Sequence, residues 1–365
     1  MDRPKKIICT VINDLNYDQR MHRVCTSLVS AGNEVVLVGR VKEKSQPLAS
    51  QTFQQKRILC MSNSGILMYM EFNIRLLLYL LFHKFDVVNA VDLDTIMPAS
   101  IVSRLKNKAM VYDAHELFTE VPEIANRPYL KKIWTWIEEK FVPSAKACYT
   151  VGESIAKIYT EKYSQSFSVV RNVPVRQSTT SAFTGKKIIL YQGAINAGRG
   201  LKEMIAAMTS LDSNIQLWIV GDGDLYEQIR AASLGTVAKQ RIKMWGYVAP
   251  AELKEITRQA WIGINLLENN GLSYYYSLAN RTFDFIQAGI PAIHMDFPEY
   301  ATLNEKYDFS VLTKDLRIES IVQAVSKLED PATYNRLKEN CLIAANELCW
   351  ENEESRLLDI YNSIK

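Results

Sequence analysis

Lys6 to Ile12 is an almost unbroken apolar run, the pattern of a strand buried on both faces of a sheet. The next segment, Asp18–Ala31, changes period: Met21, Val24, Cys25, Leu28 and Val29 share one helical stripe, and Gly32 ends it. The alternation then repeats. Glu34–Gly39, Phe85–Ala90, Ala109–Tyr112, Ala147–Thr150 and Ser168–Val170 read as strands. Phe72–His83, Thr95–Lys106, a segment through Trp134, Trp136 and Phe141, and Glu153–Tyr163 read as the helices between them. From Asn172 to Lys186 the text is rich in Pro, Ser, Thr and Gly with no apolar period, which marks a linker. A second series follows, with strands at Lys187–Gln192, Ile215–Val220, Ile242–Trp245, Ile262–Ile264, Pro291–Ile293 and Phe309–Leu312. Its helices are Leu201–Ser210, Leu225–Ala232, Ala251–Gln259, Asn280–Gln287 and Ser320–Leu328, before a helical tail that carries Leu357, Leu358, Ile360 and Tyr361 on one side. Strands alternating with helices predict mostly parallel sheets covered on both faces, with ligands beyond the C-terminal strand ends. The expected fold is α/β, two doubly wound Rossmann-like domains at 1–175 and 186–349 facing each other across a cleft.

A chain of 365 residues, 48% hydrophobic, has enough apolar material for two cores. The net charge of +3 conceals an asymmetry: residues 1–176 carry 24 Lys and Arg against 17 Asp and Glu, and the remainder 19 against 23. A basic first half suits an anionic membrane surface or a phosphorylated substrate, and a solvated surface with a chance excess is the plainer reading. Neither a long like-charge block nor an aromatic-basic repeat is present, so nucleic acid is not an expected partner. The six cysteines are scattered without a C-x-x-C pair, which predicts neither a disulfide framework nor a zinc site and suits a reducing, cytoplasmic location. The start, MDRPKKIICTVIND, is too short in apolar residues for a secretion signal and reads as the first strand. The most apolar stretch, Ile74–Phe82, is interrupted by Arg75 and falls short of a bilayer span. Peripheral contact with the inner face of a membrane is compatible with it.

Candidate chemistry concentrates after predicted strands. The stretch Asn270–Met295 combines a tyrosine-rich loop, a helix opening with Asn280 as its expected N-cap, and a Gly-Ile-Pro turn. Arg281 in the first turn opposes the helix dipole, which is favourable only if an anion, such as a phosphate, lies in front of it. A capped surface helix with a solvated Arg is the plainer alternative. Gly193–Gly200 (GAINAGRG) supplies three glycines, Asn196 and Arg199, a set able to curl around an anion and neutralise it. Gly221 and Asp222 form a similar turn after the next strand. In the first half, His115 follows a strand between Asp113 and Glu116, as a ligand contact or proton carrier or else a buried, satisfied histidine, and Asp92 is likewise just past a strand. Asp18 and Arg20 read as an N-cap and a helix ion pair. No glycine lies between Ile7 and Ala31, where a dinucleotide enzyme places G-x-G-x-x-G, which argues against a nicotinamide dehydrogenase.

The segments DQRMHRVCTSLVSAGNEVVLVGR, DAHE, YQGAINAGRG, IVGDGD, WGYVAPAEL, FDFIQAGIPAI and CWENEESRLLDIY, in this order, resemble glycosyltransferase family 4, retaining enzymes of the GT-B fold. That resemblance implies a nucleoside diphosphate sugar as co-substrate, no further cofactor and no metal. It implies a glycan or lipid-linked acceptor in surface polysaccharide synthesis, and a C-terminal helix at 350–365 that crosses back to the first domain. It places Arg199 at the family's diphosphate-binding lysine and His115 near the transferred sugar. Asp284 falls at the second glutamate of E-x7-E, which touches the ribose. Two positions depart: Tyr276 stands at the first glutamate of that motif, and Ala194 replaces the arginine after Gly193. Relatives reading Pro-Asn-Lys where this chain has Ala279-Asn280-Arg281 imply that Arg281 replaces the missing cation. A nucleotide-sugar 2-epimerase shares fold and donor, and a sugar-nucleotide-binding protein without catalysis is the third reading.

Overall fold

The computed structural model describes residues 3–43, 45–177 and 185–364, and the chain divides into two compact units. The first comprises Met1–Asn172 with Glu353–Lys365, and the second Val173–Asn352.

In the first unit, β1 (Lys6–Thr10), α1 (Gln19–Ser30), β2 (Glu34–Arg40) and β3 (Gln54–Ile58) are followed by α2 (Gly65–Phe82), β4 (Val87–Val91), α3 (Asp92–Leu105) and β5 (Ala109–Ala114). A short α4 (Pro122–Ala125), α5 (Pro128–Phe141), β6 (Ala147–Thr150), α6 (Glu153–Tyr163) and β7 (Phe167–Val169) complete it. The seven strands are parallel in the order β3-β2-β1-β4-β5-β6-β7, so the order reverses between β1 and β4. Val87–Val91 is buried along its whole length, as a strand covered by helices on both faces must be. The edge strand β3, sequence QQKRI, went unforeseen. Its side chains are polar up to the buried Ile58 and alternate in exposure, and Lys56 and Arg57 suit an edge that must not pair further.

The second unit runs β8 (Lys187–Gln192), α7 (Leu201–Ala207), β9 (Ile215–Val220), α8 (Tyr226–Gly235), β10 (Ile242–Gly246), α9 (Pro250–Gln259) and β11 (Ile262–Asn265). Then come α10 (Leu272–Tyr275), α11 (Asn280–Gln287), β12 (Ala292–Met295), α12 (Pro298–Tyr307), β13 (Ser310–Thr313), α13 (Ile318–Glu329), α14 (Pro331–Glu347) and the start of α15 (Trp350–Asn362). Its six parallel strands are ordered β10-β9-β8-β11-β12-β13, with the reversal between β8 and β11. Phe283 and Ile286 of α11 pack into one core with Ile189, Ile264 and Ile293, which fixes the helix against the strand ends.

The stretch read as a linker is packed where it is described. Val173 is fully buried, the Trp350 amide donates to the Pro174 carbonyl (2.9 Å), and the Gln177 amide donates to Gln287 (3.0 Å). The rest of that stretch, residues 178–184, lies outside the described residues. Within the first unit, the last part of α15 buries Leu357 and Tyr361, and its Glu353 accepts from the Arg171 amide at 2.9 Å.

Candidate functional site

In the second unit the order reversal brings the C-terminal ends of β8 and β11 side by side, where an open parallel sheet binds ligands. After β8 the backbone turns at Gly193 with φ +130, and after β9 at Gly221 with φ +137. A side chain at Gly221 would collide with the Gly193 carbonyl, so both turns need glycine for their close approach.

Arg281 reaches this turn from α11. Its guanidinium lies 4.5 Å over the Tyr191 ring, and a Cβ on Gly193 would stand 3.3 Å from its Nη2. Only 8% of the residue is exposed, Nη1 has no hydrogen-bond partner, and among the described residues Arg281 forms no ion pair. A cation so desolvated and unpaired is unfavourable unless an anion joins it. Arg199, at the other end of the turn, lies 4.8 Å over the Tyr274 ring with its Nε unpartnered, again without an ion pair among the described residues. Two aromatic faces thus hold two cations at one glycine turn.

The helix opens differently from expectation. Ala279, with extended φ −69 and ψ 135, is the N-cap of α11, and Asn280 is its first helical residue with no capping bond from a side chain. The Tyr300 hydroxyl accepts from the Ala279 amide at 2.9 Å, so packing rather than an Asn side chain sets the start. Asn196 is also committed: its Oδ1 accepts from the Asp224 amide (3.2 Å), while Asp222 accepts from Gly223 (2.8 Å), so both staple the turn. Asp284 accepts from Gln192 Nε2 at 2.9 Å, at the end of β8. Tyr276 packs on Tyr275 (5.0 Å between rings), and it is Tyr274 that reaches the glycine turn, donating to the Ala197 carbonyl at 3.1 Å.

Two groups here gave no sequence signal. Asn265, fully buried at the end of β11, has both side-chain polar atoms unpartnered. His294, beside it in register on the neighbouring strand β12, bonds Thr282 Oγ1 at 3.0 Å. Burial and the nearby Arg281 charge push His294 down to about 3, so it stays neutral beside the guanidinium.

In the first unit a separate cluster forms beyond β4 and β5. Arg20 is not the helix ion pair expected of it. Only 3% exposed, it spans Asp113 Oδ1 (Nη2, 3.0 Å), the Val170 carbonyl (Nη1, 3.0 Å) and His115 Nε2 (Nε, 3.0 Å). Asp18 does cap α1, accepting from the Met21 amide at 3.0 Å. His115 stands 3.1 Å from Asp113 Oδ2 through Nε2 and 3.7 Å from Asp92 Oδ2 through Nδ1. Its backbone amide donates to Asp92 Oδ1 at 2.8 Å. Asp92 itself sits at φ 51, a left-handed conformation costly for a non-glycine residue and frequent where a site needs one geometry.

Burial opposes charge on His115, but Asp113 and Asp92 outweigh it and raise the imidazole to about 9. That balance favours a protonated ring at neutral pH, with Nε2 3.1 Å from Asp113 Oδ2 and the Arg20 Nε contact then a like-charge neighbour that Asp113 neutralises. Burial pulls the Asp113 carboxyl upward, yet Arg20 and His115 hold it well below the usual range. Asp92 and Asp94 go the other way, raised by burial. The His115 side chain is 24% exposed, beside a fully buried Asp113 and a half-buried Asp92. No group of three or more His, Cys, Asp or Glu able to hold a metal occurs among the described residues.

Residues 19–173 match the family described as Glycosyltransferase Family 4, and residues 176–341 match Glycosyl transferases group 1. No curated protein matches the chain. Among solved structures, sucrose-phosphate synthase from Thermosynechococcus elongatus is similar at 14% identity and TM-score 0.77, with 98% of each chain covered. Anabaena HepE, solved in complex with UDP-glucose, is 10% identical at TM-score 0.77, covering 99% of this chain and 100% of that one. A putative UDP-N-acetylglucosamine 2-epimerase from Listeria monocytogenes is 12% identical at TM-score 0.68, covering 99% and 96%. At these identities the likeness shows the fold, two parallel-sheet Rossmann-like domains. The two family matches, consecutive between residues 19 and 341, show more: the chain belongs to the glycosyltransferases that join a Family 4 first domain to a group 1 second domain.

Proposed function

We propose that this glycosyltransferase moves a sugar from a nucleoside diphosphate donor onto a glycan or lipid-linked acceptor, with retention of configuration, in the synthesis of a surface polysaccharide at the cytoplasmic side of a membrane. The observation that carries the donor class is the pair Arg199 and Arg281, two cations stacked on tyrosine faces at one glycine turn, neither paired with a carboxylate among the described residues. A diphosphate supplies the missing charge. As the bond between the sugar's anomeric carbon and the diphosphate oxygen breaks, its electron pair goes to the diphosphate, and fixed guanidinium groups stabilise that charge most where it develops. The acceptor hydroxyl oxygen forms the new bond and its proton leaves with the phosphate. Positive charge from two arginines makes a metal-independent reaction our expectation.

His115, in the first unit, has the role of a protonated donor to the transferred sugar or its phosphate. Asp113 and Arg20 hold its charge and orientation, and Asp92 fixes its backbone. The family resemblance supports retention, and the UDP-glucose bound by the similar fold of Anabaena HepE supports a uridine donor.

The test is a panel of nucleoside diphosphate sugars, scored first by thermal shift and then by product analysis with and without acceptor. Binding raises the melting temperature according to affinity for the folded state, so the preferred base stands out. Transfer only with acceptor supports the reading. Conversion of the sugar without acceptor would make the chain an epimerase, and binding without any turnover would make it a sugar-nucleotide sensor.

A further inference from the structure

The sequence pattern placed the most apolar stretch at Ile74–Phe82, too short to span a bilayer. The helix that contains it is twice that extent: α2 runs from Gly65 to Phe82, 18 residues or about 27 Å. By length and composition it is the one helix among the described residues that could cross a membrane, and only 28% of it is buried. Its inner side is committed to the protein. Phe72, Leu76 and Leu80 are fully buried, and Asn73 Nδ2 donates to the Tyr69 and Asp94 carbonyls, both at 2.9 Å. Leaving the fold to span a bilayer would strip that core and orphan Asn73. Its outer side has no covering element among the described residues. Ile66, Leu67, Met70, Ile74, Leu78 and Phe82 are exposed at roughly four-residue steps, Phe82 by 83%. A stripe of this kind on a lone subunit marks a docking surface.

Charge and neighbouring aromatics identify the occupant. The only charged residues on α2 are Glu71 and Arg75, and they pair with each other at 2.9 Å. The helix meets α5 where the Tyr69 and Trp134 rings approach edge-on at 5.6 Å. Beyond that contact α5 exposes Tyr129, Ile133 and Trp136, and the Lys140 amine lies 4.7 Å over the Trp136 ring. Lys132 is exposed on the same helix, whereas Lys131 is paired with Glu120 at 2.7 Å. Amphipathic aromatics with long basic side chains beside an apolar stripe match the boundary between lipid tails and anionic headgroups. The whole first unit carries 25 Lys and Arg against 20 Asp and Glu, whereas the second carries 18 against 20. A second copy of the chain would place basic α5 against basic α5 in a symmetric contact, so charge favours lipid over self-association.

We propose that the outer face of α2, extended by the exposed face of α5, is a peripheral membrane-binding surface that lies on an anionic lipid bilayer. The inner side of the same helix holds Asp94 through Asn73, two residues from Asp92 beside His115. The candidate acceptor-side cluster of the first unit is thus one helix away from the lipid. This surface stands on exposure and charge, and it does not depend on the transferase reading.

The experiment is co-sedimentation of the full chain with vesicles of zwitterionic lipid alone or mixed with an anionic phospholipid. The wild-type protein pellets with the anionic vesicles, less so at high salt. Ile74→Ser, Leu78→Ser and Phe82→Ser together lower binding at least about tenfold, since each removes exposed apolar area from the interface. Lys132→Ala and Lys140→Ala, at exposed lysines of α5, each lower it by roughly fivefold, the value of one basic residue near such a surface. Val237→Ser, at an exposed apolar site in the second unit, pellets as wild type, and all variants keep the wild-type melting temperature because the replaced side chains are exposed. Wild-type protein that stays in the supernatant with both vesicle types overturns the proposal. So does a triple variant that pellets undiminished, or a wild-type dimer that the triple variant turns into a monomer without any vesicle binding.

Discussion

Arg20 and Arg281 are both buried arginines at the C-terminal ends of parallel strands, and they are satisfied in opposite ways. Arg20 has its counter-charge within the fold: Nη2 donates to Asp113 and Nη1 to the Val170 carbonyl, while Nε lies 3.0 Å from His115. Arg281 rests on the Tyr191 ring with Nη1 unpartnered and no ion pair among the described residues. Burial alone therefore does not separate an architectural arginine from one that waits for a ligand. The difference lies in whether the fold itself supplies the counter-charge. Where it does, removing either member leaves a buried charge uncompensated; where it does not, the protein loses little by giving the cation up.

The largest predicted effect breaks the first case. Asp113→Ala strands Arg20 and His115 and should destabilise the first unit by about 3–5 kcal/mol in denaturant unfolding. Arg281→Met should leave stability unchanged or raise it, because a buried unpaired cation is replaced by an apolar side chain of similar reach. Equal losses in the two variants would erase the distinction. Next in size is His115→Ala, expected to lower turnover by about two to four orders of magnitude with nucleotide affinity barely changed. A fall in nucleotide affinity without loss of turnover would remove His115 from the reaction.

A smaller effect comes from pH. The pairing with Asp113 and Asp92 raises His115 from 6.5 to about 9, so its contribution to stability is complete below 6.5 and lost as pH climbs through 9. Turnover should decline over the same alkaline window. In His115→Gln both the stability slope and the activity decline should flatten there. A wild-type profile with no alkaline decline would mean that the protonated ring plays no part.

The periodic elements were legible because burial on both faces writes itself as apolar runs, as in Val87–Val91 and Ile262–Asn265. Edge strand Gln54–Ile58 was not, since a strand with only one neighbour keeps polar side chains. Asn280 misled because capping propensity is local, whereas Tyr300, twenty residues on, sets where α11 begins. Arg20 misled for a related reason. Its partners Asp113, His115 and Val170 lie 93 to 150 residues away, beyond any pattern read along the chain. Asn265 left no mark at all, because an asparagine at a strand end looks the same whether or not its amide is satisfied. Gly193, Arg199 and Arg281 stood out because glycine turns and cations at strand ends are local features; the fold sets Arg281 against Gly193 and Arg199 over Tyr274.

The central claim is that Arg281 is held unpaired for a diphosphate. Calorimetric titration of wild type and Arg281→Ala with a nucleoside diphosphate and the matching monophosphate tests it most directly. The account predicts that the substitution weakens diphosphate binding by about 1.5–3 kcal/mol, the worth of a charge-assisted contact, and leaves monophosphate binding nearly unchanged. Equal weakening of both nucleotides, or of neither, would contradict it.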